Sequence, residues 1–161
     1  MEEKRDIENE VQIVAFFLEN EEFAVEIGKV REVLKLIRIT PLPRSYNYIE
    51  GVINLRGDII PVVDLRKRFG LNAEIKRDDS SRIIIVELDD NDIGLIVDSV
   101  TEVVRISQDL IQLPPSNVAG ARTDLIQGVG KINDRLLIIL NLEKILATED
   151  QITLEEVTLS E

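Results

Sequence analysis

Apolar residues along this chain come in short runs, some alternating with polar positions and some filled completely, and polar clusters cut them at intervals. Residues 11–18, 23–34, 49–55 and 58–63 are rich in β-branched and aromatic side chains, and so are 82–88, 93–106, 125–132 and 135–140. Runs of this composition predict strands. Those at 23–34 and 93–106 are long for one flat strand, so each is expected to bend at a bulge near Gly28 or Asp98 and become two. Arg56-Gly57-Asp58 and Asn133-Asp134-Arg135 predict hairpin turns, because Gly, Asn and Asp tolerate positive φ. Asp64 and Asn141 are side-chain acceptors suited to cap two short helices, and Gly70 is placed to stop the first.

The pattern occurs twice. With 16–34 set against 86–104, Phe23 falls on Ile93, Val25 on Leu95 and Ile27 on Val97. Val30, Glu32 and Val33 fall on the identical residues Val100, Glu102 and Val103. A second block follows at a wider offset: Gly51-Val52 on Gly128-Val129, then Ile59, Ile60, Val62, Val63 and Leu65 on Leu136, Leu137, Ile139, Leu140 and Leu142. Two blocks in the same order, with turns and caps agreeing, indicate an internal duplication with a short insertion in the second copy. The expected fold class is all-β with a few short helices, each copy closing as a small barrel of about five strands. The first subdomain is expected over 11–80 and the second over 81–147, together one domain over 11–147. A polar linker is expected at 71–81, with acidic segments at 1–10 and 148–161. A lone barrel of roughly 65 residues is marginal. Packing two together supplies a second core and leaves a groove between them, where a partner is expected.

Charge and composition narrow the partners. The 161 residues carry 31 acidic and 19 basic side chains, a formal net charge of -12. Such a chain is repelled by phosphate backbones and anionic lipid, so nucleic acid is not an expected partner. Arg66, Lys67 and Arg68 form the one basic cluster and read as the solvated end of a short helix. Cysteine, histidine and tryptophan are all absent. That removes thiol chemistry, disulfides and the commonest metal ligand, and fits a reducing compartment. The N-terminal residues lack the apolar core of a signal peptide, and runs such as 136–140 are far too short to cross a bilayer. The reading is a cytoplasmic protein with no direct membrane insertion, its acidic ends being those of a complete small protein.

Catalytic constellations are missing. Asp89, Asp90 and Asp92 crowd one turn, but the duplication aligns them with the acidic turn at 19–22, and the ligand spacing of a calcium loop does not follow. Gly128-Val129-Gly130-Lys131 lacks the glycine spacing and following helix of a phosphate loop. The serines have no histidine to activate them. The expectation is no catalytic residue, no metal and no cofactor.

One stretch is more specific. Gly51-Val52-Ile53-Asn54-Leu55-Arg56-Gly57, followed by Ile59-Ile60-Pro61-Val62-Val63-Asp64-Leu65, resembles the central signature of the CheW family. The runs at 25–34, 39–43 and 94–100 resemble that family's earlier and later segments, so the likeness spans about 11–147. The resemblance implies two SH3-like barrels and a non-enzymatic adaptor. It also implies two partners, the cytoplasmic tip of methyl-accepting chemoreceptors and the regulatory domain of the histidine kinase CheA, with recruitment to receptor arrays at the inner face of the membrane. Two alternatives stay open: an isolated CheW-like regulatory domain of a kinase, and a small β-barrel ligand binder or hydrolase using the acidic residues.

The expected kinase-binding residues are Arg56, presented by the hairpin and paired with Glu32 or a kinase group, and the nearby apolar Leu36 and Ile59. The expected receptor-binding residues are Val30 and Val33 with their duplicates Val100 and Val103, joined by Ile27 and Val14. They would line an apolar groove that takes one face of a helical hairpin.

Overall fold

A computed structural model describes residues 9–71, 77–114 and 123–145. The acidic ends expected at 1–10 and 148–161 lie outside these residues except for Asn9 and Glu10, as does the middle of the linker at 71–81. The strands are β1 (Glu10–Leu18), β2 (Glu21–Glu26), β3 (Val30–Lys35), β4 (Ile49–Leu55), β5 (Asp58–Asp64), β6 (Arg82–Leu88), β7 (Asn91–Val97), β8 (Ser99–Ser107), β9 (Ile111–Gln112), β10 (Ile126–Ile132) and β11 (Arg135–Leu140). The helices α1 (Leu65–Arg68) and α2 (Leu142–Ile145) follow β5 and β11. Asp64 caps α1 by accepting the Arg66 and Lys67 amides, and Gly70 at φ 72° ends that turn. The long apolar runs divide as expected: Ile27–Lys29 is a 3-10 turn between β2 and β3, and Asp98 separates β7 from β8.

The protein is mostly strand, in two packed sheets: a six-stranded one ordered β8-β1-β2-β11-β10-β9 and a five-stranded one ordered β3-β6-β7-β5-β4. If β1, β2, β3, β4 and β5 are exchanged for β6, β7, β8, β10 and β11, one order turns into the other. The bulges match as well. Arg31 on β3 and Thr101 on β8 are skipped in their ladders, and so are Glu50 on β4 and Gln127 on β10. Even β9 has a counterpart, since Gln112 pairs with Val129 where Thr40 bridges Val52 in the other copy. The division in space, however, does not follow the contiguous segments 11–80 and 81–147. Each sheet takes its first two repeat strands from one copy and the remainder from the other. An exchanged duplication leaves the same periodicity in the sequence as two separate barrels, so hydrophobic pattern alone does not tell them apart.

The exchange accounts for the fully apolar strands. On β1, Ile13 and Ala15 point into a cluster with Ala24, Val104, Ile106, Leu137 and Ile139, inside the curl of the six-stranded sheet. Val14, Phe16 and Leu18 point the other way, into a core shared by both sheets with Val25, Ile84, Val86, Leu95 and Leu140. On β6, Ile83 and Ile85 join the interior of the five-stranded curl with Ile53, Ile60, Val62 and Ile96, while Ile84 and Val86 face the shared core. A strand buried on both faces has no polar position to spare.

Candidate functional site

The β4–β5 hairpin carries the first group of expected residues. Its turn bends through Arg56 at φ 52° and Gly57 at φ 92°, and the Gly57 amide is held by Asn54 Oδ1 at 2.9 Å. This fixes Arg56 at the tip, where its guanidinium pairs with the Glu32 carboxylate on β3. β3 and β4 are the two edges of the five-stranded sheet, so the pair closes the sheet's open side. Ile59, one turn further on β5, is 51% exposed. Leu36, just past β3, is half-buried against the interior cluster of the same curl. Of the four, Arg56 and Glu32 are brought into contact, Leu36 packs inward, and Ile59 is the apolar residue beside the hairpin that stands in solvent.

The second group lies where the edge strands β3 and β8 meet the shared core. Val33 stands opposite Ile84 and Val103 opposite Val14, so both face inward between the sheets. Val30 and Val100 pack onto that core. Val33 and Val103 protrude past it, 40% and 53% exposed, and Ile27 in the crossover turn is exposed as well. Val14 differs from the expectation. At 5% exposure it belongs to the core, because β1 lies between β8 and β2 and is covered on both sides. It supports a groove from beneath and offers a partner no surface.

The basic cluster also differs. Arg66 and Arg68 are buried, not solvated. Arg68 lies over the Tyr48 ring at 4.6 Å and donates from Nε to the Ile145 carbonyl at 2.5 Å, joining α1 to the end of α2. Arg66 donates from Nε to Asp98 Oδ1 at 2.7 Å and from Nη2 to Oδ2. Beside them Glu50 accepts Lys67 and Arg77, and Arg77 also reaches Asp64 at 3.0 Å. Burial pushes the Glu50 carboxyl up, but the hydrogen bonds from Lys67 and Arg77 outweigh it and hold the group below the usual carboxylate range. Glu50, Asp64, Arg66, Lys67, Arg77 and Asp98 line a cavity of about 420 Å³ and are paired with one another across it.

The sequence reading missed Arg66 and Asp98 as a pair. A signal was present: Asp98 interrupts an otherwise apolar run at 93–100, and an acid in such a place needs a buried donor.

Among the described residues no group of three or more Asp or Glu could hold a metal ion. Ser45 donates to the Leu42 carbonyl, and Ser81 and Ser107 accept turn amides. The glycine-containing stretch 128–131, which does not read as a phosphate loop, lies within β10, laddered to β11. No helix among the described residues is long and apolar enough to cross a membrane. What the described residues present at the surface is an arginine-tipped hairpin and exposed valines on two edge strands.

Known proteins resemble this chain over most of its length. The pattern of the CheW-like domain family matches residues 12–150. The chemotaxis protein CheW of Helicobacter pylori is 38% identical over 143 residues, covering 89% of this chain and 86% of that protein. That of Thermotoga maritima is 34% identical, covering 94% and 95%. The crystal structure of the scaffolding protein TtCheW from Thermoanaerobacter tengcongensis superposes with a TM-score of 0.80 at 41% identity, covering 87% of this chain and 90% of that one.

Proposed function

The chain belongs to the CheW-like domain family and has the role of a chemotaxis scaffold, and from that premise we propose that it couples chemoreceptors to the histidine kinase CheA through two separate surfaces. The kinase surface is the hairpin end with Arg56, Glu32, Ile59 and the flank of Leu36. The receptor surface is the groove bordered by Val33 and Val103, with Ile27, Val30 and Val100 along its walls. The observation that supports this reading is that Arg56 and Ile59 stand on the β4–β5 hairpin, whereas Val33 and Val103 stand on the edge strands β3 and β8 with their exposed side toward the boundary between the sheets.

The physical case for each surface is distinct. An arginine held at the tip of a fixed turn reaches a partner with little loss of conformational freedom, and arginine is enriched among the residues that dominate interfaces. Valines are stiff at χ1, so a wall of them is ordered before a helix arrives, and helices dock by apolar side chains at i, i+3 and i+4. The work is assembly without turnover, and it takes place in the cytoplasm at the inner face of the membrane beneath the receptors.

Co-sedimentation tests the reading. With receptor-bearing membranes and CheA, the chain is expected in the pellet with both, and kinase output should rise when all three are present. A chain that pellets with neither, or that binds both without changing kinase output, contradicts it.

A further inference from the structure

The backbone passes from one sheet to the other at only two places among the described residues. The first is the Ile27–Lys29 turn, which leads from β2 in the six-stranded sheet to β3 in the five-stranded one. The second is Asp98, which leads from β7 back to β8. In the duplication Gly28 and Asp98 occupy the same place. Each crossover opens directly into an edge strand, β3 with Val33 or β8 with Val103. The direction in which the chain leaves each crossover therefore sets where that wall of the groove stands.

The two crossovers are built differently. Ile27–Lys29 is exposed throughout and has no side-chain cap, and the space where a Gly28 side chain would stand is open. Asp98 is held from three directions. Its amide donates to the Phe17 carbonyl on β1 at 3.0 Å. Its Oδ2 accepts the Glu19 amide, in the β1–β2 turn, at 2.7 Å. Both carboxylate oxygens accept Arg66 from α1, whose Nη1 also lies 3.7 Å from Glu19 Oε1. Glu19 belongs to the six-stranded sheet's hairpin, while α1 is the continuation of β5 in the other sheet. The carboxylate thus ties both sheets to the single residue at which the chain changes sheet.

We propose that Asp98 and Arg66 are positioning residues for the groove. Their bidentate pair pins the β8 wall, and the uncapped Ile27–Lys29 crossover leaves the β3 wall as the one that adjusts to an incoming helix. A planar guanidinium spanning two carboxylate oxygens fixes angle as well as distance, so this contact constrains how the sheets are set against one another. The consequence for the receptor rests on the groove being the receptor site, as proposed above; the effect on the walls does not.

The chain contains no cysteine, so Lys35→Cys and Arg105→Cys place two spin labels without background, one on each wall at an exposed position. Distances between them are measured by pulsed electron resonance in the otherwise native chain and with Asp98→Asn. Asparagine keeps the size of the side chain but offers Arg66 and the Glu19 amide only one acceptor oxygen between them. The expected result is a clearly broader distance distribution with a cooperative thermal transition retained. An unchanged distribution in a folded Asp98→Asn protein overturns the proposal. If that variant does not fold, Arg66→Lys takes the same measurement, since lysine keeps the charge and loses the planar fork. Affinity for a receptor cytoplasmic hairpin is then measured on unlabelled protein. It should fall by roughly three- to tenfold as the competent population shrinks, with CheA affinity unchanged. Broadened walls with undiminished receptor affinity would support the clasp and contradict the groove as the receptor site.

Discussion

Glu32 and Glu102 hold matching places on the edge strands β3 and β8, and each is bridged to an arginine from the hairpin that closes its own sheet. Glu32 takes Arg56; Glu102 takes Arg135 at 2.8 Å. The bridges are not equal. Arg135 also grips Glu22 at 2.6 Å, and Glu22 is only 10% exposed. The Glu22 hydrogen bond, reinforced by Glu102, pushes the Arg135 guanidinium above the usual arginine range. Arg56 has one carboxylate and stands largely in solvent.

The first prediction follows from that inequality. Arg56→Met should change unfolding free energy by no more than about 0.5 kcal/mol, as for most exposed pairs. Arg135→Met leaves Glu22 and Glu102 facing each other with one of them nearly enclosed, and should cost about 1–2 kcal/mol. Urea titrations of the two variants decide it, and equal losses would contradict it.

A second prediction concerns the matched glycines Gly51 and Gly128. A Cβ on Gly51 would lie 2.0 Å from the Thr40 carbonyl oxygen, a backbone atom that is itself paired to Val52, and φ there is 149°. On Gly128 the nearest atom would be Ile111 Cγ2 at 2.7 Å, a side-chain rather than a backbone atom, and the nearest backbone atom would be the Gln112 oxygen at 3.2 Å. Gly51→Ala should therefore lower stability by at least about 2 kcal/mol, and Gly128→Ala by less. Chemical denaturation giving the reverse order would show that the Thr40–Val52 bridge yields easily.

Glu50 supplies the third. Its carboxyl is more acidic in the folded protein than in the unfolded chain, where about 4.3 is ordinary. The unfolded state then binds the extra proton first as pH falls, so the stabilisation is complete above that value and is lost as pH drops through the lower folded one. Glu50→Gln should be less stable than the parent at pH 7, with the gap closing below about pH 4. Melting temperatures of both proteins from pH 7 to pH 3 test this, and a gap that stays constant across the range would rule it out.

Much of this fold is legible because burial leaves a periodic trace. The doubly buried strands announce themselves as the apolar runs at 13–18 and 83–86, and the turns at Arg56-Gly57 and Asn133 by residues that accept positive φ. The repeat could be read residue by residue, down to Glu32 and Glu102. What periodicity does not carry is which copy a strand pairs with, so the exchange between sheets and the burial of Val14 emerge only in three dimensions. The same limit explains Arg66 and Arg68. A run of three cations at a helix end looks solvated until Asp98 and the Ile145 carbonyl, distant in sequence, are brought against it. The site divides likewise. Arg56 and its pairing with Glu32 were readable from the family motif, which puts the arginine at a hairpin tip, together with arginine's preference for planar ion pairs, whereas the exposure of Val33 and Val103 depends on their standing on sheet edges.

The central proposal is that one domain carries two independent surfaces, and the most direct measurement crosses two variants with two partners. Arg56→Glu sets a carboxylate beside Glu32 at the hairpin tip, and Val103→Ser removes apolar surface from the β8 wall. Binding of each variant to the CheA regulatory domain and to a receptor cytoplasmic hairpin is measured by calorimetry, with thermal unfolding recorded alongside. The account predicts that Arg56→Glu weakens CheA binding by about 1–3 kcal/mol and leaves receptor binding intact, that Val103→Ser does the opposite by a similar amount, and that both still unfold cooperatively. Loss of both partners in parallel by either folded variant would contradict it.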